Sequence, residues 1–324
     1  MQIDEFVMDL ELAGGGRLPG CRLVYATWGE LNAARDNLVL YPTRFGGTHE
    51  QNAFLIGPGM ALDPARWCIV VPNMLGNGVS TSPSTTGLGL DFPAVSHADN
   101  IALQRAMLSA RFGDAPIALA VGWSMGAQQA YRWAVEAPGG VARLCAICGT
   151  ARTTPHNRVF LESLIAALEA DPRYGTAEAP IGGLRAAGRI YAGWAYSQPW
   201  LKAGRYREMG YSDVADWLAR YWDALFMARD AGDLTAMWRT WIGNDAADGG
   251  DLAAALGTIK ARTSVATATT DLYFTPADCA AEAAMLPGAR YADIETDWGH
   301  MAGSGQSAED TRRIDALIGT LLTA

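Results

Sequence analysis

The sequence predicts an α/β fold: a mostly parallel sheet flanked by helices, with a block of helices inserted between two of its strands. Three observations predict it. Short, continuously apolar runs alternate with helical patterns, as in sheets whose two faces are covered. That alternation stops between about Thr153 and Asn244, where helical patterns follow one another with no strand between them. A Gly-x-Ser-x-Gly turn, Gly122-Trp123-Ser124-Met125-Gly126, joins one of the runs to a helix.

In chain order, the apolar runs at 38–41, 67–71, 117–121, 144–148, 264–269 and 289–294 read as strands. Helical periodicity marks 100–111, 126–137, 276–285 and 308–322. Within the insertion, 157–170, 181–196, 212–229 and 233–241 read as amphipathic helices. The expected organisation is therefore a core domain of residues 1–152 and 245–324, with a helical lid domain at 153–244. The lid is dense in aromatics, Tyr191, Trp194, Trp217, Trp222, Trp238 and Trp241 among them. These serve as the core of a small helical subdomain, and a lid over a site would also let some line a pocket. The Gly/Asp/Ala-rich stretch 244–251 reads as the hinge back to the core.

Composition narrows the function class. Of the 324 residues, 50% are hydrophobic and 18% charged, the profile of a globular enzyme. A net charge of −9, with 25 scattered Lys and Arg, excludes a nucleic-acid surface built on a basic stripe. No apolar run approaches the roughly 20 residues that span a bilayer, so no membrane partner is expected. The first residues carry Asp4 and Glu5 and lack the apolar stretch of a secretory signal. With five cysteines in no framework spacing, this leads to the expectation of reduced thiols and a cytoplasmic location. Cys145 and Cys148 form a C-x-x-C inside an apolar run. With no second Cys or His pair beside it, it reads as buried strand rather than as a metal or redox site.

A strand ending at Val121, then Gly-x-Ser-x-Gly, then a helix is the context in which that motif denotes a nucleophile elbow. The serine sits on a strained turn, flanking glycines admit close backbone, and the helix N-terminus faces the developing oxyanion. Ser124 is therefore the candidate nucleophile. The α/β-hydrolase fold to which this elbow belongs orders its partners Ser, acid, His. Among His49, His97, His156 and His300, only His300 lies late enough, in a loop after the last strand. Asp271 follows the strand before it and stands 29 positions ahead of His300. It would fix the imidazole tautomer and stabilise the imidazolium. Asp293, Glu295 and Asp297 are competitors that lie within or after the final strand. An oxyanion hole needs the amide after the serine, Met125, and one from the loop 42–47. Pro42 has no N–H, which leaves Thr43 or Arg44.

Longer segments carry a more specific likeness. They are Tyr25-Ala26-Thr27-Trp28-Gly29-Glu30-Leu31-Asn32 followed by Asp36-Asn37, and Pro72-Asn73-Met74-Leu75-Gly76-Asn77-Gly78 with Ser82-Pro83-Ser84. The elbow with Gln129 and Trp133, Asp171-Pro172, and Asp271-Leu272-Tyr273-Phe274-Thr275-Pro276 complete the set. From about Tyr25 to Ser304 the sequence resembles the homoserine O-acetyltransferase family and its close hydrolase relatives. The resemblance implies a Ser-Asp-His triad, a helical lid over a deep tunnel, and a homodimer formed through the lids. It selects Arg44 as the second oxyanion donor. It also matches Arg189 to the family's carboxylate-binding arginine and Tyr196 to a tyrosine seven positions on.

The departures from that family concern the acyl acceptor. Its transferases carry Gly-His-Asp, the aspartate contacting the substrate amine, where this chain has Gly299-His300-Met301. A thioether cannot pair an ammonium, and a buried unpaired cation costs several kcal/mol. Trp123 makes the wall beside the serine bulkier and more apolar than the family's glycine. The expected activity is thus a serine carboxylic-ester hydrolase that acts through an acyl-enzyme on short-chain acyl esters, such as acetates. Ser124, Asp271 and His300 would be catalytic; Trp123, Met301, Arg189 and Tyr196 would bind the ester. Neither cofactor nor metal is expected. The alternatives are a homoserine (or related hydroxy-acceptor) O-acetyltransferase using acetyl-CoA, and a non-catalytic binding protein on the same fold.

Overall fold

The computed structural model describes residues 1–323. Eight strands form one sheet: β1 (Gln2–Glu11), β2 (Arg17–Trp28), β3 (Leu38–Leu40), β4 (Cys68–Pro72), β5 (Ile117–Trp123), β6 (Arg143–Ile147), β7 (Arg262–Ala268) and β8 (Arg290–Ile294). Their spatial order is β1-β2-β4-β3-β5-β6-β7-β8. From β4 to β8 all neighbours are parallel, while β1 and β2 run antiparallel at one edge. Every residue of β3, β4 and β5 is buried, which is why these strands read as unbroken apolar runs.

The edge hairpin was not among the expected strands. In β1 the outward Glu5, Val7 and Asp9 alternate with Phe6, Met8 and Leu10, but outward Ile3 and Val7 blur the pattern. In β2, Pro19 and Gly20 fall at the register shift between Met8 and Leu10, a bulge in which two residues oppose one. Both signals are those of a half-solvated edge, which no continuous apolar run announces.

Helices His97–Phe112 and Met125–Glu136 pack on one face, together with Pro276–Ala283. On the other face Ile314, Ile318 and Leu321 of helix Ala308–Thr323 close a smaller core over Val39, Ile69 and Val121. Among the described residues, no helix is long and apolar enough to cross a membrane.

Between β6 and β7 lies the helical block. It begins where the Thr154 side chain caps helix Pro155–Glu169 and continues through Ile181–Ala195 to Ala231–Ile242. The expected helix at 212–229 is present as residues 214–227, but its middle, Leu218–Asp223, is a π-helical turn. The wider turn admits one extra residue per revolution. Trp200, Trp217, Trp222, Trp238 and Trp241 are almost fully buried, so the aromatics do form the core of the block. The two chain crossings between block and sheet pair with each other. Thr153 N–H donates to Asn244 O and Ala246 N–H to Ala151 O, both at 2.9 Å, and Arg152 meets Asp245 at 2.9 Å.

Candidate active site

Ser124 stands directly after β5 and caps helix Met125–Glu136 with φ 59° and ψ −128°. For a side-chain-bearing residue that conformation costs on the order of 1–3 kcal/mol and needs its surroundings to enforce it. The glycines do so by absence. A Cβ on Gly122 would lie 2.1 Å from the carbonyl carbon of Gly126, and one on Gly126 would lie 2.6 Å from Pro42 O. The helix therefore starts pressed against both β5 and the loop that carries Arg44.

Asp271 follows β7 and His300 lies in the turn Gly299–Ser304 after β8. His300 Nδ1–H donates to Asp271 Oδ2 at 2.8 Å, which leaves Nε2 as the proton-accepting nitrogen. The second carboxylate oxygen accepts the amides of Tyr273 (2.8 Å) and Phe274 (3.1 Å), so the acid is fixed by the backbone that follows it. Of the competing acids, Asp297 is ion-paired with Arg205 and Asp293 accepts the Tyr291 hydroxyl. The imidazole is boxed by aromatic rings: Trp123 stacks on it at 4.9 Å, and Tyr273 meets it edge-on at 4.7 Å. Ser124 Oγ makes no hydrogen bond among the described residues. Such contacts tighten when a substrate occupies the site.

The loop after β3 bears on the choice left between Thr43 and Arg44. Thr43 N–H is already given to Pro72 O at 3.1 Å. The amides of Arg44 and Met125 donate to no protein acceptor among the described residues, and both are free to meet a developing oxyanion. Cys148, Asp271 and His300 bring ligand-type atoms within 4.8 Å of one another. Two of the three are engaged with each other through the 2.8 Å bond, which accounts for the cluster without an ion.

A cavity of about 360 Å³ opens over Ser124 and His300. This is at the low end of small-molecule sites, roughly 300–1,000 Å³, and suits a small substrate. Trp123, Met301 and Arg44 line it. Arg189 and Tyr196 do not. Arg189 is half exposed and ion-paired with Asp223 at 2.8 Å, on the outer side of the helical block. Its anion is a side chain 34 positions on, so the family role inferred for it is corrected. Tyr196 is buried behind the wall, its hydroxyl donating to Gln306 at 2.6 Å; only Gln306 reaches the cavity. Sequence reasoning singled out none of Leu225, Arg229 and Gln306. With the aromatic Tyr221, Leu225 and Arg229 form a stripe at four-residue spacing on the cavity wall, Arg229 two residues past the helix end at Met227, and Gln306 donates to the Tyr221 hydroxyl at 2.9 Å. That spacing was a visible signal, but which face of the helix met the site was not.

Comparison with known proteins agrees with this fold. Residues 36–176 match the alpha/beta hydrolase fold family. The chain is 36% identical over 326 residues to an ethyl acetate hydrolase of Pseudomonas veronii, covering 97% of this chain and 93% of that one. The crystal structure of the acetyl esterase MekB superposes with a TM-score of 0.96 at 35% identity, covering 100% of this chain and 97% of the other. A homoserine O-acetyltransferase of Trichormus variabilis is more distant, at 29% identity over 313 residues, 90% of this chain and 86% of that one.

Proposed function

The chain belongs to the α/β-hydrolase fold family, and we propose that it is a serine esterase that hydrolyses short-chain acyl esters, acetates foremost, through an acyl-enzyme. The observation that carries the proposal is a convergence in one cavity. A serine on a strained strand-to-helix turn shares it with an imidazole whose Nδ1 is held at 2.8 Å by a buried carboxylate.

The chemistry follows from these positions. Ser124 Oγ attacks the ester carbonyl while His300 Nε2 accepts its proton, and the Met125 and Arg44 amides receive the oxyanion. Collapse breaks the bond to the alkoxide oxygen, which takes the proton from His300 and leaves as the alcohol. Water, deprotonated by the same Nε2, then attacks the acyl-serine, and the acid departs as Ser124 regains its proton. Asp271 stays ionised throughout and keeps the imidazole in one tautomer. The helical block at 153–244 acts as the lid. It contributes Tyr191, Tyr221 and Arg229 to the cavity wall.

Water rather than an amino-acid hydroxyl is the acceptor in this proposal. Met301 lines the cavity where the resembled transferases carry an aspartate, and Glu50 is the sole carboxylate among the lining residues. Exposed Val159, Val214 and Met227 on the lid support a homodimer through it, which light scattering tests. The five cysteines, none of them paired, suit a cytoplasmic location. The enzyme is tested with p-nitrophenyl acetate. Turnover that vanishes in Ser124→Ala supports the proposal; equal turnover in that variant would overturn it.

A further inference from the structure

Most arginine side chains of this protein that form ion pairs do so at its surface, but two line the cavity over Ser124 without any such partner. Among the described residues, no carboxylate oxygen lies within 4.0 Å of the Arg44 or the Arg229 guanidinium. Arg44 donates from Nη1 to Phe45 O (2.9 Å) and from Nη2 to Gln51 Oε1 (3.3 Å), and lies 4.9 Å from the centroid of the Trp123 ring. Arg229 donates from Nη2 to Gly46 O at 2.9 Å. Each guanidinium carries five N–H donors, so most are uncommitted in both.

The surroundings do not neutralise the pair. Glu50, on the cavity wall, is exposed and pairs with neither. Asp233, the acid that most affects Arg229, is held by the Ser84 amide (2.9 Å) and hydroxyl (2.6 Å). Burial, and next the charge of Arg44, push Arg229 below its ordinary value, so the two cations repel each other across the cavity. Burial likewise lowers Arg44. A neutral alkyl acetate offers nothing that offsets such an arrangement, whereas an anion between two guanidinium forks does.

We propose that Arg44 and Arg229 form an anion subsite beside Ser124, and that the favoured substrate is a small acyl ester bearing a carboxylate. The inference rests on the esterase reading of this same cavity and adds the substrate class. The carboxylate can belong to the alcohol part, as in an O-acetyl hydroxy acid, or to the acyl part, as in a dicarboxylic half-ester. Arg229, on the lid, would also tie lid to substrate, since its other contact is the oxyanion loop at Gly46.

The test compares matched pairs by kcat/KM: 4-acetoxybutanoate against its methyl ester, and ethyl hydrogen succinate against ethyl butanoate. One anionic member should exceed its neutral partner about 10- to 100-fold, and which pair does so identifies the part that bears the charge. Arg229→Gln should bring that ratio close to one, and Arg229→Lys, which keeps charge but not the fork, should leave it between. Equal or better use of both neutral members, with a ratio that Arg229→Gln does not move, would overturn the subsite. A second readout separates this inference from the esterase reading. Binding of 4-hydroxybutanoate and of succinate to Ser124→Ala, measured by calorimetry, should weaken at least 10-fold when Arg229→Gln is added. Binding that depends on Arg229 without hydrolysis of any ester would refute the esterase reading and leave the subsite standing. Hydrolysis of neutral esters with no Arg229-dependent binding of either anion would do the reverse.

Discussion

Gly303 is the position at which a single methyl group should disable the site without touching its reacting atoms. A Cβ there would lie 2.4–2.6 Å from three atoms of the Trp123 ring (Cδ1 and Nε1 at 2.4 Å, Cε2 at 2.6 Å). Carbon atoms settle at about 3.5–4.0 Å, so Gly303→Ala requires ring and turn to separate by roughly 1 Å or more. Trp123 cannot move alone, because its ring is stacked on the His300 imidazole at 4.9 Å. Nor can the turn move alone, because Gly303 lies three residues after His300 in the same tight element, Gly299–Ser304. Displacement on this scale of a catalytic group costs about 100-fold in rate, while overpacking costs about 1–3 kcal/mol of stability. The assay is kcat/KM for p-nitrophenyl acetate, with thermal denaturation alongside. A loss of about 10- to 100-fold in a folded protein is expected, partly recovered in Gly303→Ala/Trp123→Phe because the smaller ring withdraws the obstacle. Activity within about twofold of wild type in Gly303→Ala would refute the claim that Trp123 positions the imidazole.

Three further outcomes are expected. Asp271→Asn should lower kcat by about 10⁴ with little change in thermal stability, since it corrupts the tautomer rather than the fold; a rate assay with circular dichroism decides. Trp200→Ala, in the fully buried aromatic core of the helical block, should destabilise by about 3–5 kcal/mol, read by denaturant unfolding. Burial holds His97 at about 4, below its unfolded value near 6.5, so the stability its neutral form supplies is complete above about 6.5 and is lost as pH falls towards 4. The span corresponds to about 3 kcal/mol, and the stability advantage of wild type over His97→Gln should shrink on acidification through that window. Glu282 works with the opposite sign: burial raises it from 4.5 to about 7, so wild type should gain on Glu282→Gln as pH falls from 7 to 4.5.

Much of the site was legible because its residues follow strand ends. Ser124, Asp271 and His300 come after β5, β7 and β8, and a parallel sheet carries those ends to one edge. Strands buried on both faces announce themselves as apolar runs, whereas β1, with Ile3 and Val7 facing water, does not. The elements of the helical block could be read from periodicity, but the π-turn at Leu218–Asp223, which carries Tyr221, could not. Arg189 shows the limit of resemblance. The likeness supplied an arginine, and only the fold reveals that Asp223 already occupies it. The cavity's cations come instead from a loop after β3 and the turn that follows the helix ending at Met227, 185 positions apart, which no local pattern connects.

The central claim is that acyl groups pass through Ser124 to water. Intact-mass spectrometry of the protein quenched during reaction with p-nitrophenyl acetate tests it most directly, run with and without L-homoserine. The account predicts a transient adduct of one acetyl group, absent in Ser124→Ala, that decays to acetate at a rate L-homoserine does not change. No adduct on Ser124, or an adduct that persists until L-homoserine is added, would contradict it.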